Sequence, residues 1–206
     1  MVLTRRRLAV LTGCAVAAAG LPVAARAAVP GAAAFIKQAG DRFLAVINAP
    51  GTMRGKQQQL RQIVEQDVDV TGVGRFVLGR FWRVATPAEQ QQYMAVFRQI
   101  LVYNVTTRIG DYKGATFTIG RTTARAEGTV VDTTINAPNN PPTQVQWVVQ
   151  DVGGQPKIVD VIAEGTSMRL TQRSDYASVI VQNGGKVAAL IAAMQHQLAG
   201  LQAQPG

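Results

Sequence analysis

The residue types able to do chemistry are sparse in this chain and poorly placed for it. Hydroxyl nucleophiles need a neighbouring base, and the single histidine, His196, sits between Gln195 and Gln197 near the C-terminus. That setting reads as a solvent-facing residue late in a helix. Gly165-Thr166-Ser167-Met168-Arg169 lacks the second glycine of a nucleophile elbow, so Ser167 reads as a turn-stabilising residue. The carboxylates Asp67, Asp69, Asp151, Asp160 and Glu164 follow no metal-ligand spacing. They read as caps and ion-pair partners, and neither a catalytic set, a metal nor a cofactor is expected. One enzymatic alternative stays open: Asp160 or Asp151, buried in an apolar pocket, would be an acid or base for a small apolar substrate. Gly72-Val73-Gly74 is not followed by the lysine and hydroxyl residue of a phosphate loop, and reads as a helix break. Arg75, Arg80, Arg83, Arg98 and Arg108 share a region with Phe76, Phe81 and Trp82. That mixture suits anionic lipid headgroups, RNA, or simply solvated helix faces.

The N-terminus bears on that choice. Arg5-Arg6-Arg7 form a charged n-region, Leu8 to Val23 an apolar stretch, and Ala25-Arg26-Ala27 a small-residue cleavage site. Gly20, Pro22 and Arg26 interrupt the run before the ~20 apolar residues of a membrane span. Residues 1–27 are therefore expected to be a cleaved signal peptide, through the general or the twin-arginine route, and 28–206 a single domain outside the cytoplasm. Leu11-Thr12-Gly13-Cys14 also resembles a lipoprotein box. With cleavage after Ala27 the mature chain has no cysteine, which excludes disulfides and thiolate chemistry. The whole chain carries a net charge of +9, and without the four arginines of residues 1–27 it has 17 basic against 12 acidic residues, or +5. This mild bias, in an exported protein, argues against nucleic acid as a partner.

With 47% hydrophobic and 16% charged residues over its full length, the chain must bury a large core. Phe35, Ile36, Ala39, Phe43 and Ile47 recur at helical spacing and predict a helix over about 33–48, stopped by Asn48-Ala49-Pro50-Gly51. Leu60, Ile63, Val64 and Val68 predict a second, amphipathic one. Thr86-Pro87-Ala88-Glu89 is a capping box that should open a third, with Tyr93, Val96, Phe97, Ile100, Leu101 and Asn104 on one face and Gly110 and Gly114 beyond its end. From Ala115 the period becomes two. Ala115–Arg121, Arg125–Ala137, Thr143–Asp151 and Pro156–Ala163 predict four strands, joined by turns at 139–142 and 153–154 short enough for antiparallel pairing. Ser174 is expected to cap a helix over Asp175–Val181, and Asn183-Gly184-Gly185 to end it. Val187, Leu190, Ile191, Met194 and Leu198 face inward from the last helix.

The expected class is therefore α+β. Val131, Thr133 and Ile135 share one side of the second strand, and Val145, Trp147 and Val149 one side of the third, so this face needs a cover. A half-open cavity there would hold hydrocarbon at about 0.8 kcal/mol per buried methylene. Periodicity reads the same for such a cavity and for a filled core, which would make the protein an adaptor rather than a carrier.

An ordered series of segments separates these readings. Asp67-Val68-Asp69, Phe76-Val77-Leu78-Gly79-Arg80-Phe81-Trp82-Arg83, Ala85-Thr86-Pro87-Ala88-Glu89-Gln90 and Tyr93…Phe97…Leu101 resemble the MlaC, or toluene-tolerance, family. Ile158-Val159-Asp160-Val161-Ile162-Ala163-Glu164-Gly165-Thr166-Ser167-Met168, then Arg173, Tyr176 and Asn183-Gly184-Gly185, is similar to that family's second signature. The resemblance spans about 35–200. It implies an NTF2-like fold, a curved antiparallel sheet of about four strands covered by helices around an apolar cavity. It also implies a monomeric periplasmic phospholipid-binding protein exchanging lipid between an inner-membrane ABC transporter complex and an outer-membrane lipoprotein complex. The hopanoid-associated HpnM branch would instead imply a polycyclic cargo. On this reading Phe97, Leu101, Val131, Ile135, Val145, Trp147, Val149 and Met168 are the expected lipid-binding wall, with Trp147 a departure that narrows the cavity or stacks on the cargo.

Overall fold

A computed structural model describes residues 28–106, 112–138 and 140–203. The expected signal peptide, Cys14, Arg108, Gly110 and Asn139 lie outside the described residues.

The first helix, α1 (Ala32–Asn48), ends where Pro50 forces extended backbone on Ala49, φ −64° and ψ 149°. Thr52 then caps α2 (Met53–Asp67), its hydroxyl accepting from the Gly55 amide at 3.2 Å. Val68 leaves the helix to bridge Ile158 in parallel, and Asp69 caps the next helix, α3 (Val70–Leu78). The expected break at Gly72-Val73-Gly74 is corrected here, because the helix runs straight through it. The Asp69 carboxylate accepts from the Gly72 amide at 2.9 Å, and a Cβ on Gly72 would lie 1.9 Å from that carboxylate. The glycine makes room for the cap.

A 3-10 turn at Gly79–Arg83 leads to the capping box. The Thr86 amide donates to Glu89 Oε2 at 2.8 Å and the Glu89 amide returns a bond to Thr86 Oγ1 at 3.2 Å. Helix α4 (Pro87–Thr106) starts there, as its sequence requires. Those backbone and hydroxyl bonds from Thr86 hold the Glu89 carboxyl below its ordinary pKa.

The sheet runs β1 (Thr116–Arg125), β2 (Gly128–Asn136), β3 (Thr143–Val152), β4 (Gln155–Ala163) and β5 (Thr166–Ser167), every neighbouring pair antiparallel and in sequence order. The sheet departs from expectation at its first turn and its last strand: the second strand begins at Gly128, not Arg125, because Arg125 ends β1. The first strand reaches Arg125, which pairs with Gly128 across a tight turn, and a fifth strand of two residues is present. Glu164 and Gly165, at φ 50° and 78°, form the two-residue turn that pairs Ala163 with Thr166. That turn sets Ser167 against the next helix, α5 (Met168–Gln182), as its true cap, accepting from the Leu170 amide at 3.2 Å. The expected start at Ser174 is thus corrected by two turns of helix. A last helix, α6 (Val187–Gln202), buries Val187, Leu190, Ile191, Met194 and Leu198.

The fold is α+β, with six α-helices and an open five-stranded antiparallel sheet among the described residues. Helices α3 to α6, with Val64 of α2, make one core around Tyr93, whose ring stacks on Phe97 at 5.6 Å and meets Tyr176 edge-on at 6.2 Å. The Tyr93 hydroxyl donates to the Gly74 carbonyl at 2.9 Å. Against the sheet lies a second cluster, in which Ala32 and Ile36 of α1 pack on Val131, Val149 and Ile158. Shifts of register between Ile119 and Thr122 and between Val148 and Val149 mark bulges, which bend the strands that carry them.

Candidate functional site

The register assigns one face of the sheet without ambiguity. Phe117 pairs with Ile135, Ile135 with Thr143, Thr133 with Val145, Val145 with Ala163 and Trp147 with Val161. Directly paired residues project to the same side. Where α1 and α2 and the inner faces of α3, α4 and α5 meet this face, a cavity of about 660 Å³ remains. That is within the ~300–1,000 Å³ range of ligand sites. Phe43 and Leu44 contribute from α1, Ile63 and Val64 from α2, Val73 and Val77 from α3, and Phe97, Ile100, Leu101 and Val105 from α4.

Of the residues expected to form the wall, Phe97, Leu101, Ile135, Val145, Trp147 and Met168 border this cavity. Val131 and Val149 do not. Both are fully buried on the same sheet face, packed with Ala32 and Ile36 where α1 crosses the strands. Alternation assigns a face; where a helix covers that face is set by tertiary packing alone. Phe43, Phe117, Tyr112, Val159 and Tyr176 border the cavity and were not among the expected wall. Helical spacing had marked Phe43 as apolar, but apolar spacing carries no sign distinguishing a lumen from a core.

The polar groups of Trp147, Thr133, Asp67 and Asp160 on the wall are already engaged. Trp147 Nε1 donates to Thr133 Oγ1 at 2.9 Å, and Thr133 Oγ1 donates on to the Val145 carbonyl at 3.0 Å. The Asp67 carboxylate, 3% exposed, accepts from Arg42 Nη2 with both oxygens, at 2.9 and 2.8 Å. Asp160, 6% exposed, accepts from Ser167 Oγ at 2.5 Å, the Val161 amide at 2.8 Å and the Arg169 amide at 3.1 Å, with Arg169 Nε 3.3 Å away. The Arg169 guanidinium also lies 4.5 Å over the Phe76 ring. Asp160 therefore fastens the start of α5 to β4, a structural anchor beside Met168.

The enzymatic alternative is reshaped by these positions. Asp151 is exposed and off the cavity wall, where it accepts from the Gly154 amide at 2.9 Å in the β3–β4 turn. His196 is exposed on α6 and does not border the cavity. Burial pushes the Tyr176 phenol up to about 12, with Asp175 adding to the shift, and raises that of Tyr93 further. Neither phenol is poised for proton transfer near neutral pH. The arginines of the Phe76 region are partly stacked: Arg75 lies 5.1 Å over Trp82 and Arg80 4.9 Å over Phe81, while Arg98 stands 4.0 Å from Glu65.

The class so defined is an α+β protein whose helices and open antiparallel sheet enclose a large, predominantly apolar cavity. The chain belongs to the MlaC family, whose model, described as MlaC protein, matches residues 37–196. Its structure is similar to that of the phospholipid-binding protein from Ralstonia solanacearum solved in complex with a phospholipid. The TM-score is 0.73 at 28% identity, over 83% of this chain and 98% of that one.

Proposed function

We propose that this protein is a periplasmic lipid carrier that holds phospholipid acyl chains in the cavity and leaves the headgroup in water. The observation that carries the reading is the cavity itself: about 660 Å³ lined mainly by aliphatic and aromatic side chains, with Asp67, Asp160 and the Trp147 indole N–H already partnered. Ten buried methylenes would contribute roughly 8 kcal/mol, near micromolar affinity before the costs of association, without a directional contact. Membership of the MlaC family and the likeness to a protein solved with a phospholipid support the choice of cargo.

In this reading residues 1–27 direct export, and the mature chain exchanges lipid between an inner-membrane ABC transporter complex and an outer-membrane lipoprotein complex. Carriage needs no reaction at the cargo, consistent with Asp160 serving as an anchor. The test is native mass spectrometry of the protein purified from the periplasm without detergent, followed by extraction and identification of bound lipid. Phospholipid at stoichiometric occupancy is expected. A spectrum of bare protein would sink the proposal, and hopanoid in place of phospholipid would replace its cargo.

A further inference from the structure

Phe117 lies on the outermost strand of the sheet, β1, and faces α1 across the edge of the cavity. Opposite it stands Gly40, in mid-helix. A Cβ on Gly40 would fall 2.3 Å from Phe117 Cζ, 2.6 Å from Cε1 and 2.9 Å from Cε2, distances that real side chains do not tolerate. The tip of the ring therefore rests on bare helix backbone. Glycine is a poor helix former beside alanine, and the close approach gives this one a physical reason. Both residues border the cavity, and the ring is only half-buried.

We infer that Gly40 and Phe117 together set the capacity of the cavity at its α1–β1 seam. The missing Cβ lets the ring dock against the helix, closing the seam while standing clear of the lumen. A methyl at position 40 takes that seat from the ring, and a shift of the ring toward the cavity it already borders fills space the cargo would use. The pair is thus a specificity determinant for cargo length, an inference that rests on the cavity being the lipid site.

The experiment compares wild type, Gly40→Ala, Phe117→Leu and the double variant Gly40→Ala/Phe117→Ala, each purified from the periplasm without detergent. Lipid load per folded protein is read by native mass spectrometry and acyl composition by lipid extraction, with circular dichroism to verify folding. Gly40→Ala is expected to lower the lipid load per folded protein several-fold. The double variant should carry more lipid than Gly40→Ala, with its acyl composition shifted toward longer chains as in Phe117→Leu, because the added methyl no longer meets a ring and no ring fills the seam. Phe117→Leu should shift the bound population toward longer chains. Alanine favours the helix, so a loss of cargo in folded Gly40→Ala does not come from reduced helix propensity in α1. Wild-type load in Gly40→Ala, or a double variant as empty as the single one, overturns the inference. Should Gly40→Ala not fold, an unchanged acyl distribution in Phe117→Leu overturns it. An empty wild type would instead overturn the carrier reading on which it rests, whereas loaded wild type with indifferent variants removes only the role of this pair.

Discussion

The indole N–H of Trp147 on β3 donates to the hydroxyl of Thr133 on β2 at 2.9 Å, and the same hydroxyl donates to the Val145 carbonyl at 3.0 Å. A tryptophan on an apolar wall carries one polar atom that must find an acceptor. Here the neighbouring strand supplies it, so the indole adds area to the cavity without presenting a free donor. Thr133→Val keeps the shape and removes the acceptor. It should destabilise the fold by about 1–3 kcal/mol, the cost of an orphaned buried donor, read as a lower urea midpoint. An unchanged midpoint would mean that Trp147 reaches water.

Val145 borders the cavity, whereas Val149, four residues along the strand on the same face, lies beneath α1. A charge therefore has different consequences at the two sites. Val145→Arg should give a folded protein that co-purifies without lipid, because an unpaired cation would lie in the apolar cavity. Val149→Arg should fail to fold, since no lumen receives the side chain. Circular dichroism with lipid extraction separates the two, and a lipid-loaded Val145→Arg would remove that residue from the binding wall.

Asp160 joins β4 to the first turn of α5 through Ser167 and Arg169. Asp160→Ala leaves the Arg169 guanidinium without its carboxylate and should cost about 3–5 kcal/mol. The loss should appear as a lower urea midpoint, with hydrogen exchange fastest at Met168–Gln172. Exchange unchanged there would show that α5 is held by its apolar packing alone.

Tyr176 supplies a pH dependence whose sign follows from its raised pKa. An unfolded tyrosine ionises near 10, while burial holds the folded phenol neutral up to about 12. The folded state then binds the proton more tightly, so its contribution is complete below pH 10 and is lost as pH rises toward 12. Tyr93, shifted the same way, extends the effect. Urea midpoints should be flat from pH 7 to about 9.5 and fall above it, and Tyr176→Phe should flatten the fall. A Tyr176→Phe profile superimposed on wild type would place the loss elsewhere.

How much of this molecule is written locally can be seen by comparing its elements. The capping box at Thr86–Glu89, the Pro50 stop and the inward row Val187, Leu190, Ile191, Met194 and Leu198 each rest on interactions within a few residues, and each is where its sequence places it. Period-two patterning likewise marked the sheet and the shared face of Val145 and Trp147. Two local signals were ambiguous because a competing interaction decides them. Gly72-Val73-Gly74 reads as a break until Asp69 caps it, and Ser167 reads as a turn residue until the Glu164-Gly165 hairpin aims it at α5.

The sequence by itself determined the α+β class, the apolar face of the sheet and, through two ordered signatures, the family. Only the tertiary structure decided which apolar residues border empty space. Val131 and Val149 share a face with Val145 and Trp147, yet α1 covers the first two and leaves the others open. The physical reason is that hydrophobic patterning records removal from water, which a filled core and a lipid cavity provide alike. Whether neighbouring atoms fill the volume depends on where helices cross strands, and here one crossing turns on the missing Cβ of Gly40 beneath the ring of Phe117.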